Sequence, residues 1–318
     1  MENRNETYTY IVFFFILSLL TLTYLFYKPG PLDKEKKIFI EKGLVLDDVI
    51  FLLKSNDIIE SKKVFKLYSR IFISDTTVKA GEYLFDGNIS LSDIFKKLKN
   101  GKTIYRKILI PECYTVKQTV NLLLANDYIS GSLEKLPSEG SLFPNTYFFE
   151  RGEDINKLIL RISNSMQSKV EEVWKYNKGL FLNQKELITF ASMVEAESKK
   201  QEEKKLVSSV FHNRLKINMK LQSDPTLLYY KNLTSKEKVN EIYRSDIKKD
   251  HPWNTYTRFG LPATAICNPG LEALHAAIKP KESNFLYFVS DGQGGHRFST
   301  SLKEHNQNIK KWKMNKKK

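Results

Sequence analysis

Cysteine is scarce: Cys113 and Cys267 are the two in 318 residues. That is too few for a disulfide-stapled scaffold, and they lack the paired spacing of a zinc site. Spacing alone leaves open whether they form one long-range bridge. The five histidines (His212, His251, His275, His296 and His305) form no HExxH or other metal-ligand pattern, so neither a metal nor a cofactor is expected. No G-x-S-x-G nucleophile elbow occurs. Alanine is absent before Ala80, which removes the A-x-A-like site where a signal peptide would be cut. Negative charge is also short. Lys and Arg number 51 against 36 Asp and Glu, a formal charge of +15, so the surface is basic and suited to anionic polymers. Nucleic acid is still not an expected partner, because no zinc finger, RNP-type aromatic motif or recognition helix appears.

The longest feature present is an uncharged apolar run over residues 10–27. As a helix it spans about 27 Å, close to a hydrocarbon core of ~30 Å, and tyrosines cluster at both ends. The run predicts an uncleaved single-pass anchor preceded by a short segment, 1–9. Lys28, Lys34, Lys36 and Lys37 follow it, against Arg4 before it. By charge bias alone the large domain would face the cytoplasm. Lys28-Pro29-Gly30-Pro31 ends the helix.

An internal repeat follows. Shifting residues 38–59 by 70 places Ile38, Ile40, Leu52, Leu53, Asn56, Asp57 and Ile59 on identical residues. Each copy predicts a short strand, a turn and an amphipathic helix, with Gly43 at the first turn and Cys113 at the second. Between them, Ser90 and Asp93 mark the start of a helix over 91–98. Such βα units fit either a folded stalk or glycan binding. The chain ends in a basic tail, 310–318, expected to be solvated.

Uncommon residues concentrate after residue 133. Leu187, Ile188, Phe190, Ala191 and Val194 have helical spacing and lead to Glu195 and Glu197. A carboxyl pressed against apolar groups is harder to ionise and can donate a proton near neutrality. Periodicity does not choose between these two glutamates, and both could be ordinary surface residues paired with lysine. Polar, Gly/Pro-rich loops follow around Leu221–Thr226, Trp253–Tyr256 and Gly260–Gly270. Residues 286–298 predict a hairpin with a Gly-rich turn, which is not a phosphate loop. Carboxylates, amides and aromatic rings together suit a carbohydrate site.

These stretches carry a resemblance. Ala191-Ser192-Met193-Val194-Glu195-Ala196-Glu197 is similar to the catalytic-helix signature of the endolytic murein transglycosylases, the YceG-like family. Also similar are Phe211-His212-Asn213-Arg214-Leu215, Leu221-Gln222-Ser223-Asp224-Pro225-Thr226, Asn254-Thr255-Tyr256, Gly260-Leu261-Pro262 and Asn268-Pro269-Gly270. The series continues through Leu286-Tyr287-Phe288-Val289 and Gly294-Gly295-His296 to Glu304-His305-Asn306. Glu139-Gly140-Ser141-Leu142-Phe143-Pro144 resembles the opening of the catalytic domain. Cys113, in place of the usual glycine, and 262–266 depart from the family pattern.

The resemblance implies an α+β protein with a cytoplasmic N-terminus (1–9) and a transmembrane helix (10–27). A duplicated βα region with a LysM-like subdomain (28–132) and an α+β catalytic domain (133–318) complete it. It places the protein in the inner membrane with the catalytic domain outside, overriding the charge bias. It implies Glu195 as the catalytic residue. Gln222, Asp224, Asn254 and Tyr256 are expected either to contact substrate or orient Glu195, or to stabilise their loops by hydrogen bonds. The implied reaction cuts the β-1,4 bond between N-acetylmuramic acid and N-acetylglucosamine without water. It leaves a 1,6-anhydro end and terminates nascent strands, with cell-wall synthases as partners. A hydrolytic muramidase and a non-catalytic glycan-binding scaffold are the alternatives.

Overall fold

The computed structural model describes residues 2–72, 78–235 and 237–315; residues 316–318 of the basic tail lie outside it. In chain order the first elements are α1 (Glu2–Tyr27), β1 (Lys36–Ile40), α2 (Leu46–Ser55), α3 (Lys62–Phe72), β2 (Gly81–Phe85) and α4 (Leu91–Asn100). There follow β3 (Tyr105–Leu109), α5 (Val116–Leu124), β4 (Ile129–Ser130), β5 (Thr146–Glu150), β6 (Glu153–Asp154), α6 (Ile155–Trp174) and α7 (Gln184–Glu197). The last are α8 (Gln201–Lys216), α9 (Asp224–Thr234), α10 (Arg244–Lys248), α11 (Leu271–Ile278), β7 (Tyr287–Ser290), β8 (His296–Ser299) and α12 (Leu302–Asn315). This is a mixed helix-and-sheet fold. The chain divides into two units, residues 1–106 with 148–153, and 107–147 with 154–318.

In the first unit, α1 is apolar and long enough to cross a membrane over Thr7–Tyr27. Its last turn has another task. Phe26 is buried and stacks on Tyr68 and Phe95, while the Tyr68 hydroxyl donates to the Leu22 carbonyl. β1 pairs antiparallel with β2, matching Ile38 to Tyr83 and Ile40 to Gly81. Alternation sends Ile38 and Ile40 inward against Val49, Leu53, Phe65 and Phe85. Ser90 caps α4 by accepting from the Asp93 N–H, as its sequence predicts. Glu82 is buried between Arg106 and Arg151.

The 70-residue repeat has a structural counterpart in strand, turn and helix. β1 and α2 lie at that offset from β3 and α5 within a residue. Gly43 and Cys113 occupy equivalent left-handed positions, with φ of 94° and 58°. The copies nevertheless divide between the two units.

In the second unit α7 is buried on nearly every side. Leu187, Phe190, Ala191, Met193 and Val194 pack with Val207 and Phe211 of α8 and with Ala273, Leu274 and Ala277 of α11. Two hydroxyls bridge these layers. The Ser192 Oγ accepts from the Ile266 N–H at 3.0 Å, and the Ser208 Oγ donates to the Ala276 carbonyl at 2.7 Å. β7 and β8 form the predicted hairpin, pairing Tyr287 with Ser299 and Ser290 with His296.

Candidate active site

Asn183 starts α7 by accepting from the Glu186 N–H, and Ser198, in extended conformation, stops it. The apolar stripe drives the helix through the core, so its final turn delivers Glu195 and Glu197 at the core's margin. Their surroundings differ sharply.

Glu195 is enclosed. Its Oε1 accepts from the Lys204 Nζ at 2.7 Å and its Oε2 from the Gly270 N–H at 2.9 Å. The two side chains of that ion pair are 3% and 1% exposed, and Lys204 also reaches Glu112 at 3.4 Å. Burial pushes the Glu195 carboxyl up, opposed by Lys204 and the Gly270 N–H. Burial works against charge on Lys204, but Glu195 and then Glu112 more than offset it and hold the ammonium protonated. Each Glu195 oxygen thus accepts one strong hydrogen bond, and the net effect of burial is a carboxyl harder to ionise than a free one.

Glu197 is different. Its Oε1 accepts from the Ser223 Oγ at 2.5 Å, and Oε2 has no hydrogen-bond partner among the described residues. Burial, with the nearby Asp224 charge, pushes this carboxyl up to about 7, against the Ser223 hydrogen bond and the Arg214 guanidinium. Near neutrality it is therefore half protonated, the condition under which one group can both give and take a proton.

The surrounding loops are held by short polar contacts. The Ser223 N–H donates to the Thr255 Oγ at 2.9 Å, and the Gln222 N–H donates to the Thr255 carbonyl at 3.1 Å. Gln222 is exposed, with a left-handed backbone (φ 48°). Asp224, also exposed, accepts from the Tyr256 hydroxyl. Burial, followed by that hydrogen bond, pushes the Tyr256 phenol up, so it stays a donor.

Asn254 is 1% exposed. Its Nδ2 donates to the carbonyls of Asp246, Ile247 and Lys249, and its Oδ1 accepts from the N–H groups of Tyr256 and Thr257. Both ends of the amide are committed to its own loop, so Asn254 presents Tyr256 and leaves nothing for a ligand. Gln222, Asp224 and Tyr256 thus gather with Glu197 through the Ser223–Thr255 contacts. Among the described residues the groups that meet the Glu195 carboxylate are Lys204 and Gly270 instead.

Arg214 donates through Nε to the Leu286 carbonyl and through Nη1 to the Leu221 carbonyl, both at 2.7 Å. It ties the hairpin to the loop carrying Gln222. His212 is buried in the core against Phe190. At the start of β8, His296 Nδ1 lies 2.7 Å from a Glu203 oxygen. Among the described residues no group of three or more His, Cys, Asp or Glu could hold a metal ion.

The YceG-like family model matches residues 38–311. The chain belongs to the YceG-like family. It is 31% identical to the endolytic murein transglycosylase of Bacillus subtilis strain 168, over 89% of this chain and 87% of that one. The endolytic murein transglycosylase of Streptococcus pneumoniae D39 is 27% identical over 88% of this chain, which spans 59% of the streptococcal protein. The crystal structure of a YceG-like protein from Listeria monocytogenes superposes with a TM-score of 0.55 at 28% identity, covering 86% of this chain and 99% of that one. The YceG-like match takes in Glu195, Glu197 and every loop residue described above.

Spacing singled out the two glutamates, but missed Lys204 and Ser223, the partners that distinguish them. One signal for Lys204 was present. Lys204, Val207, Ser208 and Phe211 share one face of α8 at spacings of three and four, and a lysine in an otherwise buried stripe calls for a buried partner.

Proposed function

We propose that this chain is a lytic transglycosylase acting on peptidoglycan, with Glu197 rather than Glu195 as its acid and base. The names of its relatives support the reaction class. The observation that carries the residue choice is the Glu197 carboxyl, raised to about 7 and unpartnered on one oxygen. Protonated Glu197 gives its proton to the glycosidic oxygen as the bond to the muramyl C1 breaks through an oxocarbenium-like state. The Glu197 carboxylate then takes the proton from the muramyl C6 hydroxyl, whose oxygen closes on C1 to form the 1,6-anhydro ring. The proton count on the enzyme is restored, and no second carboxylate is required. The attacking hydroxyl belongs to the substrate, giving it the advantage of an intramolecular nucleophile.

Glu195 in this reading is a positioning residue that fixes the end of α7 through Lys204 and Gly270. Asp224, Tyr256 and Gln222 line the approach to Glu197, and Asn254 supports their loop. The domain pattern 28–132 and 133–318, with a LysM-like glycan-binding part in the first region, belongs to the same proposal. So does a membrane orientation with the N-terminus cytoplasmic and the catalytic region outside, where it would release strands made by cell-wall synthases.

The test compares E197Q with E195Q on purified sacculi, with products read by mass spectrometry. Anhydromuramyl ends from wild type, and their loss in E197Q, are expected. Wild-type rates from E197Q would return the role to Glu195. Reducing ends in place of anhydro ends would make the enzyme a muramidase.

A further inference from the structure

The fold brings together two cysteines that lie 154 positions apart. Cys113 sits in the turn after β3 and Cys267 in the loop before α11. The Cys113 N–H donates to the Asn268 carbonyl at 3.0 Å, and the Asn268 N–H donates to the Tyr114 carbonyl at 2.9 Å. Two backbone hydrogen bonds therefore clamp the turn to the residue next to Cys267. Buried Asn268 adds a third link through its Nδ2 to the Tyr114 carbonyl at 2.8 Å. Cys113 is among the groups near enough to act on the Cys267 thiol, whose Sγ donates to the Ser192 carbonyl at 3.5 Å.

The choice of residue at position 113 is informative. Its φ is 58°, a left-handed conformation that favours glycine, and the equivalent turn of the other repeat carries Gly43. A cysteine there carries a steric cost that a glycine would avoid.

We propose that Cys113 and Cys267 form a disulfide that staples the β3–α5 turn to the loop preceding α11. Glu112 and Gly270 flank the staple. Glu112 contacts Lys204, and Gly270 holds Glu195 through its N–H. The bond would therefore lock the cage around the Glu195–Lys204 pair.

The oxidant is a low-molecular-weight disulfide such as oxidised glutathione. Cys113 is partly exposed and Cys267 fully buried, so the thiolate of Cys113 attacks first and one glutathione thiolate leaves. The Cys267 thiolate then attacks the Cys113 sulfur and displaces the second glutathione. Two electrons pass from the cysteines to the glutathione disulfide, and the two protons they lose end on the released thiols. Burial pushes the Cys267 thiol well up, which makes it a slow partner for outside reagents.

The test uses the full chain in detergent, equilibrated with oxidised glutathione, denatured, treated with a maleimide and weighed intact. Because the buffer supplies the oxidant, the outcome does not depend on membrane orientation or on which glutamate is catalytic. No adducts before reduction, two after it, and a linked Cys113–Cys267 peptide are expected. C113S and C267S should each take up one glutathione or one maleimide instead. Reduction should lower the wild-type melting temperature by roughly 5–15 °C and leave C113S/C267S unmoved. Two adducts on the unreduced wild type, or glutathione on both cysteines, would overturn the proposal.

Discussion

Replacing Glu197 with glutamine keeps the shape of the side chain and removes its titration, so stability and catalysis should respond in opposite senses. The Glu197 carboxyl moves from 4.5 in the unfolded chain to about 7 in the fold. Between those values the native protein holds a proton that the unfolded chain has released, so stability falls as pH rises through this window. At ~1.4 kcal/mol per pH unit the loss amounts to roughly 3 kcal/mol. It is absent at pH 4 and complete above about pH 8. E197Q should match wild type near pH 4 and exceed it by up to ~3 kcal/mol at pH 8, read as a difference in melting temperature of about 6–12 °C. Release of anhydromuramyl ends should drop by about 10²–10⁴-fold in E197Q. In wild type it should decline as pH climbs past about 7, where the acid form disappears. A pH-independent gap between the two melting temperatures, or an active E197Q, would refute the argument.

K204M leaves Glu195 buried without its ammonium and should destabilise the protein by about 3–5 kcal/mol in thermal melts at pH 7. N254A removes an amide that knits five backbone groups together. It should cost about 2–4 kcal/mol and reduce kcat/KM on sacculi by loosening Tyr256. Y256F frees an exposed Asp224 that water can solvate, so the melting temperature should change little while kcat/KM falls roughly 10-fold. F26A empties the space between Tyr68 and Phe95 and should cost the first unit about 3–5 kcal/mol, measured by hydrogen exchange in that unit.

Periodicity exposed the parts of this chain whose information is local. The apolar run became α1, the alternation at 38–40 became β1, Ser90 and Asp93 capped α4, and the Gly-rich stretch became the β7–β8 hairpin. The 70-residue offset correctly aligned two turns, one of them built on Cys113 in a glycine-like conformation. Spacing could not decide between Glu195 and Glu197, because their difference arises from residues far along the chain. Gly270 lies 75 positions from Glu195, and Ser223 lies 26 from Glu197. Resemblance pointed to Glu195, whose carboxylate the fold pairs with Lys204 and the Gly270 N–H. For Asn254 the sequence left substrate contact and loop support both open, and its amide is spent on loop construction. A polar residue in a site loop can hold the loop's shape without touching substrate.

The junction at Phe26 has a mechanical meaning. Many anchored proteins hang from a slack peptide, free to sample a hemisphere above the lipid. Here the apolar helix runs straight into folded protein, its last turn cemented among aromatic rings of the first unit. With that helix in a bilayer, tilting the helix would tilt the unit with it, and the unit's height above the headgroups would be set by architecture rather than by tether length.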